Sequence, residues 1–306
     1  MDREAAAGRL LLAFRTTRIP DPTRSRVATS HPVLHCRGRV LGLERPVVMG
    51  VLNVTPDSFS DGGRFVRLDA AVERGSQMAE EGAAIIDVGG ESTRPGAHPV
   101  DLDEELRRVV PVIARLRDRT SAILSVDSSK PEVMDAAAAA GAAMINDVRA
   151  LRAPGAMEAA VNSGCAVCLM HMLGEPRTMQ DSPSYHDVVA EVRQFFAQRV
   201  EACLSAGLPA ERIVLDPGFG FGKTRVHNLE LLRHLADLSV AGLPLLAGLS
   251  RKSLVGTLTG RPPEDRVHGS VALAVVAALN GARILRVHDV AATLDALKVV
   301  VAVQNG

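Results

Sequence analysis

The run Ala122-Ile-Leu-Ser-Val-Asp127, a polar turn, an alanine-rich segment and then Ala143-Met-Ile-Asn-Asp147 decide how this chain folds. A short aliphatic, often β-branched run reads as a buried strand, and an alanine-rich stretch of helical period reads as the helix that covers it. The same unit recurs on both sides. Strands are predicted at Val47–Asn53, Ala84–Val88, Ala122–Asp127, Ala143–Asp147, Ala166–His171, Ile213–Asp216, Pro244–Leu249 and Arg283–His288. They lie far enough apart for a helical crossover each time, which indicates a parallel sheet covered by helices. Eight units favour an α/β fold of the (β/α)₈ TIM-barrel type. A doubly wound open sheet with a second domain competes, and periodicity alone leaves it open. The dinucleotide fingerprint that would support it is missing, because Gly218-Phe-Gly220-Phe-Gly222-Lys223 fits neither G-x-G-x-x-G nor the P-loop spacing.

Composition narrows the function. The 306 residues carry 35 Lys+Arg against 35 Asp+Glu, so no global charge draws the chain to nucleic acid or to an anionic membrane. With no Trp, one Tyr and seven Phe, a base-stacking platform is hard to build, and the core falls to aliphatic residues. No run is long enough to span a bilayer, and the apolar patch Leu10 to Phe14 is too short for a secretory signal, so a cytoplasmic protein is expected. Cys36, Cys165, Cys168 and Cys203 are too scattered for a disulfide framework. Cys165 and Cys168 form C-x-x-C, but three apart on a strand they face opposite sides and read as core thiols. Residues 1–32, mixed and basic without a period, read as a flexible extension; residues 33–306 form the barrel domain, which Cys36 to Leu43 enters as a small hairpin.

Polar residues collect at strand ends: Asn53, Asp87, Asp127, Asn146, His171, Asp216, Ser250, Arg286 and His288. In a barrel these ends form the rim where active sites are built. Capping accounts for any one of them, but both charge signs recur around one ring, as expected for a small polar substrate with an anionic group. The loop Asn53 to Gly63 has the form of a mobile lid, and Gly89 to Gly96 offers Arg94 to an anion. Ser250-Arg-Lys-Ser253 sets two cations at a helix start, which is unfavourable unless something negative binds there.

The segments Met49 to Gly63, Asp87 to Gly96, Ser125-Val-Asp127, Ile145-Asn-Asp147, Leu215 to Lys223, Ser250 to Ser253 and Arg286-Val287-His288, in this order, closely resemble the dihydropteroate synthases, the sulfonamide-inhibited enzymes of folate biosynthesis. The resemblance runs from about Val33 to the C-terminus. It implies a commonly dimeric barrel, here a homodimer, that joins 6-hydroxymethyl-7,8-dihydropterin diphosphate to 4-aminobenzoate and releases diphosphate. Asp127, Asn146, Asp216 and Lys252 would bind the pterin, whose adjacent N–H groups suit a carboxylate. The diphosphate would meet Asn53, Arg286, Val287 and His288, with Mg²⁺ on Asn53 and Asp57, and Arg94 would help as the loops close. The aminobenzoate carboxylate would meet Ser253, its ring lying against Phe59, Pro95, Phe221 and the Lys252 stem, with Thr93 lining the same region. The implied catalytic set is Asp127, Lys252, Arg286 and His288. Two rivals are a pterin-binding methyltransferase, which would not need the Ser250–Ser253 and Arg286–His288 anion sites, and a silent barrel that binds pterin without turnover.

Overall fold

The computed structural model of the chain describes residues 32–54, 64–92, 99–174 and 178–305. Phe59, Asp57, Thr93, Arg94, Pro95 and the extension up to residue 31 lie outside these residues, as does most of the predicted lid. A hairpin comes first, β1 (Val33–Cys36) antiparallel to β2 (Arg39–Gly42). The sequence had placed it at Cys36–Leu43. Its strands begin earlier because Arg37 and Gly38, with φ of 50° and 78°, make the two-residue turn whose twist matches a hairpin.

Eight parallel strands then close into a barrel in the order β10-β3-β4-β5-β6-β7-β8-β9. They are β3 (Val47–Asn53), β4 (Ile85–Gly89), β5 (Ile123–Asp127), β6 (Met144–Asp147), β7 (Ala166–Met170), β8 (Ile213–Asp216), β9 (Leu245–Ala247) and β10 (Ala282–Val287). Each predicted strand is present within a residue or two. β9 is the most shortened, since Pro244 has no N–H and joins only through its carbonyl, which accepts from Leu215 N at 3.0 Å. Helices follow the strands: α1 (Arg64–Glu80), α2 (Leu102–Arg117), α3 (Pro131–Ala140), α4 (Ala156–Ser163), α5 (Val188–Ser205), α6 (Arg225–Arg233), α7 (Ser253–Thr259), α8 (Val267–Leu279) and α9 (Val290–Asn305). The open-sheet alternative is excluded by closure between β10 and β3.

Strand alternation sorts the core into two shells. Outward side chains such as Val48, Ile86, Val88, Leu124, Val126, Leu215 and Val287 pack under the helices. Inward ones near the strand starts, Met49, Ile85, Ile123, Met144, Val214, Leu246 and Ile284, fill the barrel, and Leu34, Cys36 and Leu43 of the hairpin segment join them. The hairpin thus plugs the amino-terminal end. Cys165 lies in the outer shell and Cys168 in the inner one, both free, so the C-x-x-C pair is split between two faces. Phe219, in the loop after β8, is buried in the outer shell with Phe196, so two aromatics join the largely aliphatic core.

Candidate active site

Above the apolar inner shell the same alternation carries polar groups. Asp87 on β4, fully buried, is the hub: its Oδ1 accepts from Ser125 Oγ at 2.6 Å, and its Oδ2 accepts from Asn146 Nδ2 at 2.9 Å and from Arg286 Nε at 2.7 Å. Arg286 Nη2 donates at 2.7 Å to Asp127 Oδ2, so one guanidinium spans two carboxylates. Sequence reasoning noted Asp87 at a strand end but gave it no role. The pairing could not be read because its partners come from β5, β6 and β10, the last of them 199 residues away.

On the other side of the ring stand Asp216 and Lys252. Asp216 Oδ1 accepts from Gly218 N at 2.8 Å, which starts the turn after β8. Gly218 and Gly222 have φ of 66° and 63°, and a side chain on either would strike the His171 or Leu173 carbonyl, so the turn needs glycine there. It delivers the Phe219 carbonyl to Lys252 Nζ at 2.6 Å, and the Phe221 ring centroid lies 4.8 Å from the same Nζ. Lys252 and Arg286 line one backbone gap, since a Cβ on Gly248 would lie 3.7 Å from Lys252 Nζ and 3.8 Å from Arg286 Cβ.

Burial sets the electrostatics. It pushes Asp127 up to about 7, against the pull of Arg286 and with help from Asp87, Glu105 and Asp147. Burial likewise raises Asp216, opposed by Lys252, and pushes Lys252 down to about 8, opposed by Asp216. Burial would lower Arg286, but Asp87 and Asp127 outweigh it and hold the guanidinium above its ordinary range. A barrel mouth with buried carboxylates and fixed cations beside them can bind a polar heterocycle and stabilise charge that develops on it.

At the next position around the rim, His288 N donates to Ser250 Oγ at 3.2 Å and His288 Nδ1 lies 3.1 Å from the same oxygen. Ser250 orients His288 rather than capping a helix; the residue at the N-cap of α7 is Lys252. Arg251 pairs with Asp289, its Nε donating to Oδ2 at 3.0 Å, so part of the charge conflict at this helix start is answered within the protein. Ser253 is the first residue of α7 and is exposed. Val287 turns its side chain to the helices by strand alternation, leaving its backbone as the part that can meet a ligand. Asn53 ends β3, half-buried. Among the described residues no three His, Cys, Asp or Glu side chains converge as a metal cage. Asn53 supplies an amide oxygen, a donor that suits Mg²⁺, which takes few protein oxygens when substrate phosphates and water complete its shell.

Comparison with known proteins identifies the family. A family model described as pterin binding enzyme matches residues 49–288. The chain is 53% identical over 267 residues to a dihydropteroate synthase of Escherichia coli K12, covering 87% of this chain and 95% of that one. Among solved structures, a Xanthomonas albilineans dihydropteroate synthase with 4-aminobenzoic acid is 58% identical with a TM-score of 0.85, covering 90% of this chain and 99% of that one. Another from the same organism, in complex with 7,8-dihydropteroate, is 55% identical with a TM-score of 0.82, covering 89% and 99%. With its ring of buried carboxylates and cations at the carboxyl end of a closed barrel, the chain belongs to the pterin binding enzymes, the family of the dihydropteroate synthases.

Proposed function

We propose that this chain catalyses the condensation of 6-hydroxymethyl-7,8-dihydropterin diphosphate with 4-aminobenzoate to 7,8-dihydropteroate and diphosphate. The observation that carries this reading is the set Asp127, Asn146, Asp216 and Lys252 at the barrel mouth, two carboxylates, an amide and an ammonium, with Arg286 bonded to Asp127. Asp216 and Asp127 would accept the pterin N–H groups, while Asn146 and Lys252 would hold its remaining polar edge. The arylamine nitrogen attacks the methylene carbon, the C–O bond to diphosphate breaks, and the nitrogen gives up its proton. Asp127 would stabilise positive charge spreading into the ring as that bond breaks. Arg286 and His288, with the Val287 backbone between them, would bind the departing diphosphate, and Arg94 would add a charge from its loop. Mg²⁺, when bound, would neutralise diphosphate charge; Asn53 and Asp57 are the residues that would hold it. Ser253 and the free N–H groups beside it would take the aminobenzoate carboxylate, and Phe221, Phe59, Pro95, Thr93 and the Lys252 stem its ring.

The partners are small molecules, and the balanced charge gives no global attraction to nucleic acid or an anionic membrane. No helix among the described residues is long and apolar enough to cross a membrane. A cytoplasmic location is supported by four free, buried thiols. A homodimer is supported by apolar residues left exposed on two neighbouring helices, Val276 and Leu279 of α8 and Val299 and Val303 of α9. The test of the reaction is diphosphate release with and without 4-aminobenzoate. Release should depend on the arylamine, yield dihydropteroate and be blocked by a sulfonamide; pterin binding without turnover would instead select the silent-barrel reading.

A further inference from the structure

Lys223 takes no part in the chemistry above, yet it is 3% exposed and stands beneath the turn that serves Lys252. Its Nζ donates to Phe221 O at 3.0 Å and to Gly218 O at 3.1 Å, and lies 2.9 Å from His171 Nδ1 and 3.4 Å from His171 O. Burial, with Lys223 and Arg152 nearby, pushes His171 down to about 2, so the ring is neutral and can accept through Nδ1. The rest of the turn is tied as fully. Asn228 Oδ1 accepts from Gly220 N at 2.8 Å while its Nδ2 donates to Lys223 O at 3.2 Å, and Tyr185 OH donates to Gly222 O at 2.8 Å. Carbonyls 218, 221 and 222 are thus held from within the protein, and carbonyl 219 is the one given to Lys252.

We propose that Lys223 is a positioning residue: its buried amino group, braced by His171, fixes the turn so that the Phe219 carbonyl aims Lys252 and the Phe221 ring faces the arylamine. A lysine amine suits this place: burial pushes it down to about 7, against the pull of Asp216, and in its charged form it offers three donors to acceptors that converge from two segments, the ends of β7 and β8. The assignment of the arylamine rests on the proposed reaction, but the bracing of the turn does not.

Tyr185 is the chain's single tyrosine and there is no tryptophan, so the tyrosine band of the near-ultraviolet circular dichroism reports on the surroundings of this one ring, which bonds the turn at Gly222 and packs against the His171 and His227 rings. In Lys223→Met that band should shrink by about half or more while the far-ultraviolet spectrum is kept, because the groups that order the ring are released. The KM for 4-aminobenzoate should rise about tenfold or more, with a smaller fall in kcat, as displacement of a binding group dictates. Tyr185→Phe, which removes one brace and keeps Lys223, should raise the same KM by about threefold. A folded Lys223→Met protein with an unchanged tyrosine band, or with an unchanged KM and a kcat reduced only in proportion to its folded fraction, would overturn the proposal. Should Lys223→Met not fold, an unchanged KM in Tyr185→Phe would do so. If the unaltered chain made no dihydropteroate, the enzymatic reading would fall, and the tyrosine band, which needs no substrate, would still decide the role of Lys223.

Discussion

In the proposed reaction Asp127 would have to be ionised to stabilise a cationic ring, yet it sits where burial resists ionisation. The compromise is Arg286, which keeps the carboxylate within reach of neutral pH at about 7, while Lys252 across the mouth holds its proton up to about 8. Because the carboxylate is present above the first value and the ammonium below the second, kcat/KM should fall on both sides of a narrow maximum between them. A pH profile whose acid limb lay near the ordinary carboxylate value of about 4 would sink this assignment. Asp127→Asn should abolish the acid limb and depress turnover by on the order of 10²–10³. Ser253→Ala, by contrast, should act mainly on the KM for 4-aminobenzoate, by about tenfold, through the lost hydrogen bond to a charged group. Steady-state kinetics of the two variants separate these outcomes, and normal kinetics in both would overturn the site. Residues such as Asp127, Asn146 and Asp216 were legible because each ends an aliphatic run. Asp87 and Lys223 were not, since their meaning lies in partners that only barrel closure and the turn after β8 bring to them.

At the scale of elements, the barrel strands were legible because buried parallel strands are continuous aliphatic runs, and their polar ends mark where the chain leaves the sheet. The hairpin was less so. Its strands alternate rather than run, and its turn depends on a left-handed Arg37 that composition does not announce. Its role is structural: Leu34 and Cys36 enter the inner shell, Arg39 Nη1 donates to Ala122 O at 3.2 Å, and Arg37 donates to the Ala138 and Ala142 carbonyls at the end of α3. Since the plug lies at the end of the barrel away from the site, it should govern stability and not chemistry. Leu34→Ala should lower the unfolding free energy by about 2–5 kcal/mol, measured by urea denaturation, with kcat preserved. A cost below about 1 kcal/mol would mean that the hairpin rests on the barrel without filling it.

The whole molecule combines a balanced charge with an uneven apolar surface. α8 turns Ser270, Ala274 and Ala277 inward, small residues that let it lie close to the barrel, and leaves Val276 and Leu279 outside; Val299 and Val303 of the adjoining α9 are 64% and 78% exposed. Large aliphatic groups exposed on two contacting helices are costly in water at about 25 cal/mol per Å², and a neutral chain has no net repulsion to keep two copies apart. A two-fold contact would bury each residue against its counterpart's neighbourhood, so one substitution removes two contacts per dimer. Leu279→Glu should therefore shift sedimentation from dimer to monomer, because it sets like charges near the axis of the contact. The mouth of the barrel is formed within a single chain, so the monomeric variant should still bind pterin. An unaltered chain that sediments as a monomer at every concentration, or a Leu279→Glu variant that remains dimeric, would show that the pairing face lies elsewhere or does not exist.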